Sequence, residues 1–385
     1  MLIDRRLVRN FDWGLLAAIT LVLTLGLIVL YSAGHDPLST ARPLGGLFGV
    51  VQSPPFFRQL VSVGIGLVAL VIGLSLSTSA LTRIALPAYL LGLGLLLLVL
   101  VFGVTRNNSL SWFSIAGVTF QPSEVVKLAV ILFLARQLSR FPPPAGGYGF
   151  RGIILPAIIV GVPFLMILGQ RDLGTGLTLG AVGVSMVLFM GVRPRLLLMI
   201  AVVGLLGLIP AWGKLQDYQK RRIMTVFNPE ADPRGAGYHV RQSIIAVGSG
   251  SVTGKGYMNG TQTQLQFLPE HTTDFIFSVL AEEWGFFGCG LVLAAYLFLL
   301  TRLLWVVHRS KDLFAALVVF GVASLIFVHV LVNVGMVIGI LPVVGIPLTL
   351  FSYGGSAIVA ALLGLGVALG ISMRRFQYVS GGMIV

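Results

Sequence analysis

WGLLAAITLVLTLGLIVLY, residues 13–31, decides the fold class. An uncharged helix of this length reaches about 28 Å, close to the thickness of a bilayer's hydrocarbon core. Arg5, Arg6 and Arg9 precede it, as in a secretory signal. The run is longer than a signal core and no small-x-small cleavage site follows, so it reads as a retained first span.

Working outward, such runs recur. Ten candidate spans lie at about 13–31, 57–76, 81–103, 122–138, 152–169, 174–191, 196–213, 274–301, 312–340 and 349–373. The composition agrees: 56% of the 385 residues are hydrophobic and only 10% charged, with mean hydropathy +0.97. A soluble domain carries about a quarter charged residues. The expectation is an all-α polytopic membrane protein of ten transmembrane helices, forming a single transmembrane domain over residues 1–385. The one cysteine, Cys289, sits in an apolar run and allows no disulfide within the chain.

Charge orients the bundle. With both termini cytoplasmic, the inner segments hold 14 of the 26 basic residues, from Arg5 to Arg375. The short outer segments hold four: Arg42, Arg58, Arg106 and Arg171. That asymmetry is the positive-inside pattern. Nucleic-acid binding is a poor use of the net charge of +13, because the basic residues are spread over many loops.

One outer loop departs from the pattern. Residues 214–273, between spans seven and eight, carry seven basic side chains against four acidic ones. Lys220, Arg221, Arg222, Arg241 and Lys255 suit either anionic lipid headgroups or a pocket for a phosphate-bearing ligand. HVRQSIIAVGSG, 239–250, mixes apolar and polar residues as an interfacial amphipathic helix does. GSGSVTGKG, 248–256, fails as a P-loop: Ser249 stands where the first glycine belongs and Gly256 follows Lys255. Its glycines instead allow close backbone approach to another element.

The acids inside the apolar pattern carry the chemistry, since a carboxylate in hydrocarbon is costly unless paired or used. Glu124 and Lys127 stand three apart on span four and read as an intramembrane ion pair that also suits a polar cavity. Asp172 reads as the N-cap of span six, and Thr273 or Asp274 as that of span eight. Yet Glu124, Asp172, Glu270 and Asp274 fall at one outer level, where a site between spans needs convergent polar groups. Glu282 and Glu283 lie deeper and turn away, which suits structural pairing with neighbouring spans. The five histidines are scattered, with only His271 near candidate acids, and no metal cluster announces itself. An oxygen-liganded Mg²⁺ remains compatible, since it needs one or two carboxylates plus substrate phosphates.

WFSIAGVTFQPSEVVKL (112–128), QRDLGTG (170–176), FNPEADPRGAGYHVRQSIIAVGSGSVTGKGY (227–257), GTQTQLQFLPEHTTDFIFSVLAEEWGFFG (260–288) and NVGMVIGILPVVGIPLTLFSYGGSA (333–357) together resemble the SEDS family (shape, elongation, division and sporulation), in its RodA branch. The resemblance implies a peptidoglycan glycosyltransferase of the bacterial cytoplasmic membrane that polymerises lipid II at the outer face. It implies a class B penicillin-binding protein as transpeptidase partner. It carries the essential family aspartate onto Asp274, and functional interest onto Trp112, Glu124, Lys127 and Asp172. Two positions depart from the family's pattern: Ser111 stands where Arg is usual, and Arg171 where Pro is frequent. The expected chemistry makes Asp274 a general base, with Arg221, Arg222, Arg241, Lys255 or Lys127 holding pyrophosphate. A lipid II flippase and a non-catalytic scaffold of the cell-wall machinery are the rival readings.

Overall fold

The computed structural model describes residues 11–34, 55–106, 109–115, 118–214, 217–227, 235–265 and 267–374. Arg5, Arg6, Arg9, Arg42, Glu230, Asp232, Arg234 and Arg375, counted above for orientation or loop charge, lie outside them. Each of the ten predicted runs meets a helix: α1 Trp13–Ala33, α2 Pro55–Ser75, α3 Thr78–Phe102, α4 Pro122–Arg140, α5 Phe150–Gly169, α6 Leu173–Met190, α7 Pro194–Lys214, α11 Ile276–Arg309, α12 Leu313–Val337 and α13 Gly355–Arg374. Between α7 and α11 come α8 Asp217–Phe227, α9 Ala236–Ser249 and α10 Thr261–Gln264. Among the described residues, eight helices are long and apolar enough to cross a membrane; α4, with its charges, and α7, whose apolar stretch is shorter, complete the ten runs. The chain is a multi-pass membrane protein.

Three short strands were not foreseen. β1 Val104–Arg106, β2 Ser109–Ile115 and β3 Val118–Phe120 form an antiparallel sheet between α3 and α4. Their β-branched and aromatic residues, punctuated by Asn-Asn and Ala-Gly, explain the strands locally. Leu110 N–H donates to the Gln170 carbonyl at 2.9 Å, tying β2 to the turn before α6.

Helices α2 and α13 touch through glycine. A Cβ on Gly73 would lie 2.6 Å from the Leu363 carbonyl oxygen, and one on Gly366 2.2 Å from that of Leu70. Close backbone approach at small residues is how helices gain contact where lipid supplies no hydrophobic drive. Arg374, at the end of α13, donates to the carbonyls of Leu74, Ser75 and Leu76, capping the last turn of α2. At the same end of the bundle, Asp12 caps α1 and pairs with Arg302 of α11 at 2.5 Å.

The backbone breaks inside α11. Gly285 has φ 64° and ψ −159°, a conformation open essentially to glycine alone. Segment 250–256 fills the break. The N–H groups of Lys255 and Gly256 donate to the carbonyls of Glu282 and Glu283, each at 3.0 Å. On the far side, the N–H groups of Phe286 and Phe287 donate to the carbonyls of Ser251 and Val252 at 3.0 and 3.2 Å. The element that the glycine-rich loop approaches is therefore a broken helix, and the freed backbone groups stay paired.

Helix α9 covers the predicted amphipathic stretch but docks on protein. Its Val240, Ser243 and Ala246 are buried, and the Ser243 hydroxyl donates to the Val337 carbonyl at 2.7 Å and meets Ser278 Oγ at 2.8 Å.

The predicted tenth span begins six residues late. Residues 338–354 run non-helically between α12 and α13, with Ile346, Leu348, Leu350 and Phe351 all buried. Irregular backbone at membrane depth is tolerated where protein surrounds it. This re-entrant segment is the floor of the candidate site.

Candidate active site

Asp274 sits in the turn before α11, and its carboxylate is not spent on capping. The cap position falls on Phe275, without a side-chain bond, and the Thr273 hydroxyl goes to Glu270 instead. The turn is fixed by backbone: the N–H groups of Asp274 and Phe275 both donate to the Glu270 carbonyl. Asn333 of α12, fully buried, donates from Nδ2 to the carbonyls of Asp274 and Ile346, each at 2.8 Å. One amide thus ties the aspartate to the re-entrant segment.

That segment presents Gly345, with φ 73°, to the carboxylate: a Cβ there would lie 3.4 Å from Asp274 Oδ2. Beside it the Val344 carbonyl closes on Gly174 at the start of α6, where a Cβ would come within 2.3 Å. Asp172 caps α6 through Thr175 N–H at 3.1 Å, as expected, and its second oxygen accepts from Gln121 Nε2 at 3.0 Å. Arg171 before it has φ 61°. Proline, locked near −65°, does not fit that backbone.

The electrostatics of Asp274 follow. Withdrawal from water, with Glu270 and Asp172 nearby, pushes its pKa from 3.8 up to about 7, while Arg222 pulls the other way. A carboxyl poised there exchanges protons readily near neutral pH.

On α4 the expected ion pair forms: Lys127 Nζ lies 2.9 Å from Glu124 Oε1, and both side chains are buried. Sequence reasoning missed its third member. His329 of α12 lies 3.3 Å from Lys127 Nζ through Nε2 and 2.7 Å from Thr349 Oγ1 through Nδ1. The scattered histidines hid it; an ionisable group inside a long apolar helix was the available signal. Glu124, His329, Thr349 and Ser352 line a small, largely apolar pocket between α4, α12 and α13.

The remaining candidates divide. Arg222, on α8, reaches the Asp274 cluster electrostatically, whereas Arg221 and Arg241 are exposed on α8 and α9. Lys255 is held elsewhere, 2.6 Å from Glu282 Oε1, which also accepts from Thr261 Oγ1 and Gln262 N–H. Glu283 accepts from Ser32 of α1 at 2.6 Å. The two deep acids are therefore framework groups that fasten the loop and α1 to the break in α11. Trp112 lies half-buried in β2 opposite Val104, next to the strand residues that hold the Gln170–Asp172 turn.

The profile of the cell cycle protein family that comprises FtsW, RodA and SpoVE matches residues 13–377. The chain belongs to this family. Among curated members, the peptidoglycan glycosyltransferase MrdB of Escherichia coli K12 is 40% identical over 322 residues, 83% of this chain and 85% of its own. A chain of a solved peptidoglycan synthase complex, described for its coordination of polymerization and crosslinking, superposes with TM-score 0.79 at 32% identity, covering 96% of this chain and 99% of that one. The rod shape determining protein RodA of Thermus thermophilus superposes with TM-score 0.68 at 30% identity, covering 96% and 98%. The FtsW/RodA/SpoVE frame spans the whole described bundle, with the Asp274 turn, the re-entrant segment and the broken α11 inside the matched range.

Proposed function

We propose that this chain is a peptidoglycan glycosyltransferase that polymerises lipid II into glycan strands at the outer face of the bacterial cytoplasmic membrane, serving elongation and cell shape. The observation that carries the mechanism is Asp274, withdrawn from water with a pKa of about 7 beside Arg222, in a member of this family. Asp274 acts as general base. One sugar hydroxyl loses its proton to the Asp274 carboxylate as its oxygen bonds to the anomeric carbon of the donor. The bond from that carbon to the pyrophosphate oxygen breaks, and the electron pair leaves with the polyprenyl pyrophosphate. Arg222 meets the charge growing on the leaving group, helped by Arg221, Arg241 and Lys127. Lys255 contributes through its hold on Glu282. Trp112, Glu124 and Asp172 shape the site. The charge bias of the loops supports the outward placement.

Among the described residues no three His, Cys, Asp or Glu side chains converge to hold a metal by themselves. A Mg²⁺ ion would therefore come with the substrate's phosphates, using Asp274 or Asp172, whose mutual repulsion fits a shared cation. When bound, such an ion neutralises charge on the leaving pyrophosphate. A class B penicillin-binding protein is the proposed partner, supplying crosslinks to the new strands. The test is polymer formation by the purified chain from lipid II in bilayers, with and without divalent cation and partner. Asp274→Asn is expected to make no glycan; relocation of lipid II without its consumption would point to a flippase instead.

A further inference from the structure

The proposed mechanism leaves His329 unused, although it is buried at the centre of the bundle and joins two parts of the site. Its chemistry is constrained by its neighbours. The Lys127 ammonium has only hydrogens to offer, so the imidazole nitrogen facing it at 3.3 Å, Nε2, accepts. The proton of the neutral ring then stands on Nδ1 and is donated to Thr349 Oγ1 at 2.7 Å. Two of the three N–H groups of Lys127 are thereby directed, one to Glu124 and one to His329.

Thr349 lies in the re-entrant segment, four residues past Gly345, which faces the Asp274 carboxylate. On α12, Asn333 stands one turn beyond His329 and grips the same segment at Ile346 together with the Asp274 carbonyl. The two side chains form successive rungs on one helical face. The lower rung reaches Lys127 on α4, and the upper rung reaches the base.

We infer that His329 is a positioning residue for glycan polymerisation: as a neutral ring with its proton on Nδ1, it aims Lys127 and holds the re-entrant segment against Asp274. This rests on the glycosyltransferase reading. A hydrogen bond to a charged group is worth enough to change a rate about tenfold when lost. His329→Leu, which keeps the bulk and loses both bonds, is expected to lower kcat for lipid II polymerisation about tenfold per folded molecule. His329→Gln, whose amide offers one acceptor and one donor, is expected to recover all but about threefold. Thr349→Val added to His329→Leu is expected to cost little more, because the two act through one bond.

A residue that merely filled space would give a lowered Tm with unchanged turnover per folded molecule in His329→Leu, and no rescue by Gln; either result overturns the assignment. Nitrogen-15 spectra of histidine-labelled protein, with His329 assigned by its loss in His329→Gln, read the tautomer without any turnover. A neutral ring protonated on Nδ1, whose Nε2 resonance moves in Lys127→Met, supports the inference. A charged ring, or one protonated on Nε2, overturns it even where the wild-type chain makes no polymer, an outcome that fails the glycosyltransferase reading by itself.

Discussion

Asp274→Asn separates the electrostatic claim about this residue from its catalytic one. The folded protein holds the carboxyl at about 7 against 3.8 for an ordinary aspartate. A group whose folded pKa is raised supports folding fully below its unfolded pKa and loses that support as pH climbs to the folded value. The window is therefore from about pH 4 to about pH 7, with a plateau above. At about 1.4 kcal/mol per pH unit, the gap corresponds to roughly 4 kcal/mol, and about half of that once the side chain's remaining contact with water is allowed for. Asparagine has nearly the same shape and no charge, so it escapes this cost. Compared with wild type, Asp274→Asn is expected to match in stability near pH 4, gain steadily to pH 7, and stay about 2 kcal/mol ahead beyond, a Tm rise on the order of a few °C. Thermal unfolding of both proteins in one detergent or nanodisc across pH 4–9 measures this, while lipid II polymerisation is lost in the variant at every pH. A Tm difference that does not vary with pH, or a variant less stable at pH 8, would refute the desolvated carboxylate.

Other expectations follow from the same geometry. Wild-type polymerisation should rise with pH to about 7 and then level, and Arg222→Ala, by removing the cation that lowers the Asp274 pKa, should move that rise to higher pH in rate profiles. Glu124→Leu or Lys127→Leu alone should destabilise by about 3–5 kcal/mol because each leaves a buried charge unpaired, whereas the double change should cost much less in thermal or denaturant unfolding. Gly285→Ala forces a side chain into a glycine-only conformation, with its Cβ 2.3 Å from the Gly254 nitrogen. It should cost about 1–3 kcal/mol or more and expose 250–257 to limited proteolysis.

Much of this molecule was legible in its sequence because hydrocarbon imposes a simple rule. Runs such as 13–31 and 174–191 have little choice but helix, and their observed boundaries fall within a few residues of the expected ones. Glu124 and Lys127 were readable as a pair because their contact is local, three residues along one helix. Glu282 and Lys255 were not, because 27 residues separate partners that touch at 2.6 Å. The position of the break lay hidden, since glycine within an apolar run is common and only a docked loop makes Gly285 special. The re-entrant 349–354 reads as part of the tenth span because buried irregular backbone is as apolar as a helix. His329 escaped for a related reason: its meaning lies in Lys127 and Thr349, which reach it from other elements.

The filled break in α11 also bears on how the chain is made. Segment 250–256 leaves the ribosome before Gly285 does, so the partner for the interrupted helix already exists when that helix is synthesised. A version of α11 inserted without the segment would carry two unmatched carbonyls and two unmatched N–H groups, each costing several kcal/mol in hydrocarbon. This span is therefore completed in two stages: entry into the bilayer, then docking of a loop that must already have reached the same side. Biogenesis of the Asp274 turn is tied to correct delivery of the loop, and a chain whose loop is misdelivered cannot finish the helix on which its proposed base is mounted.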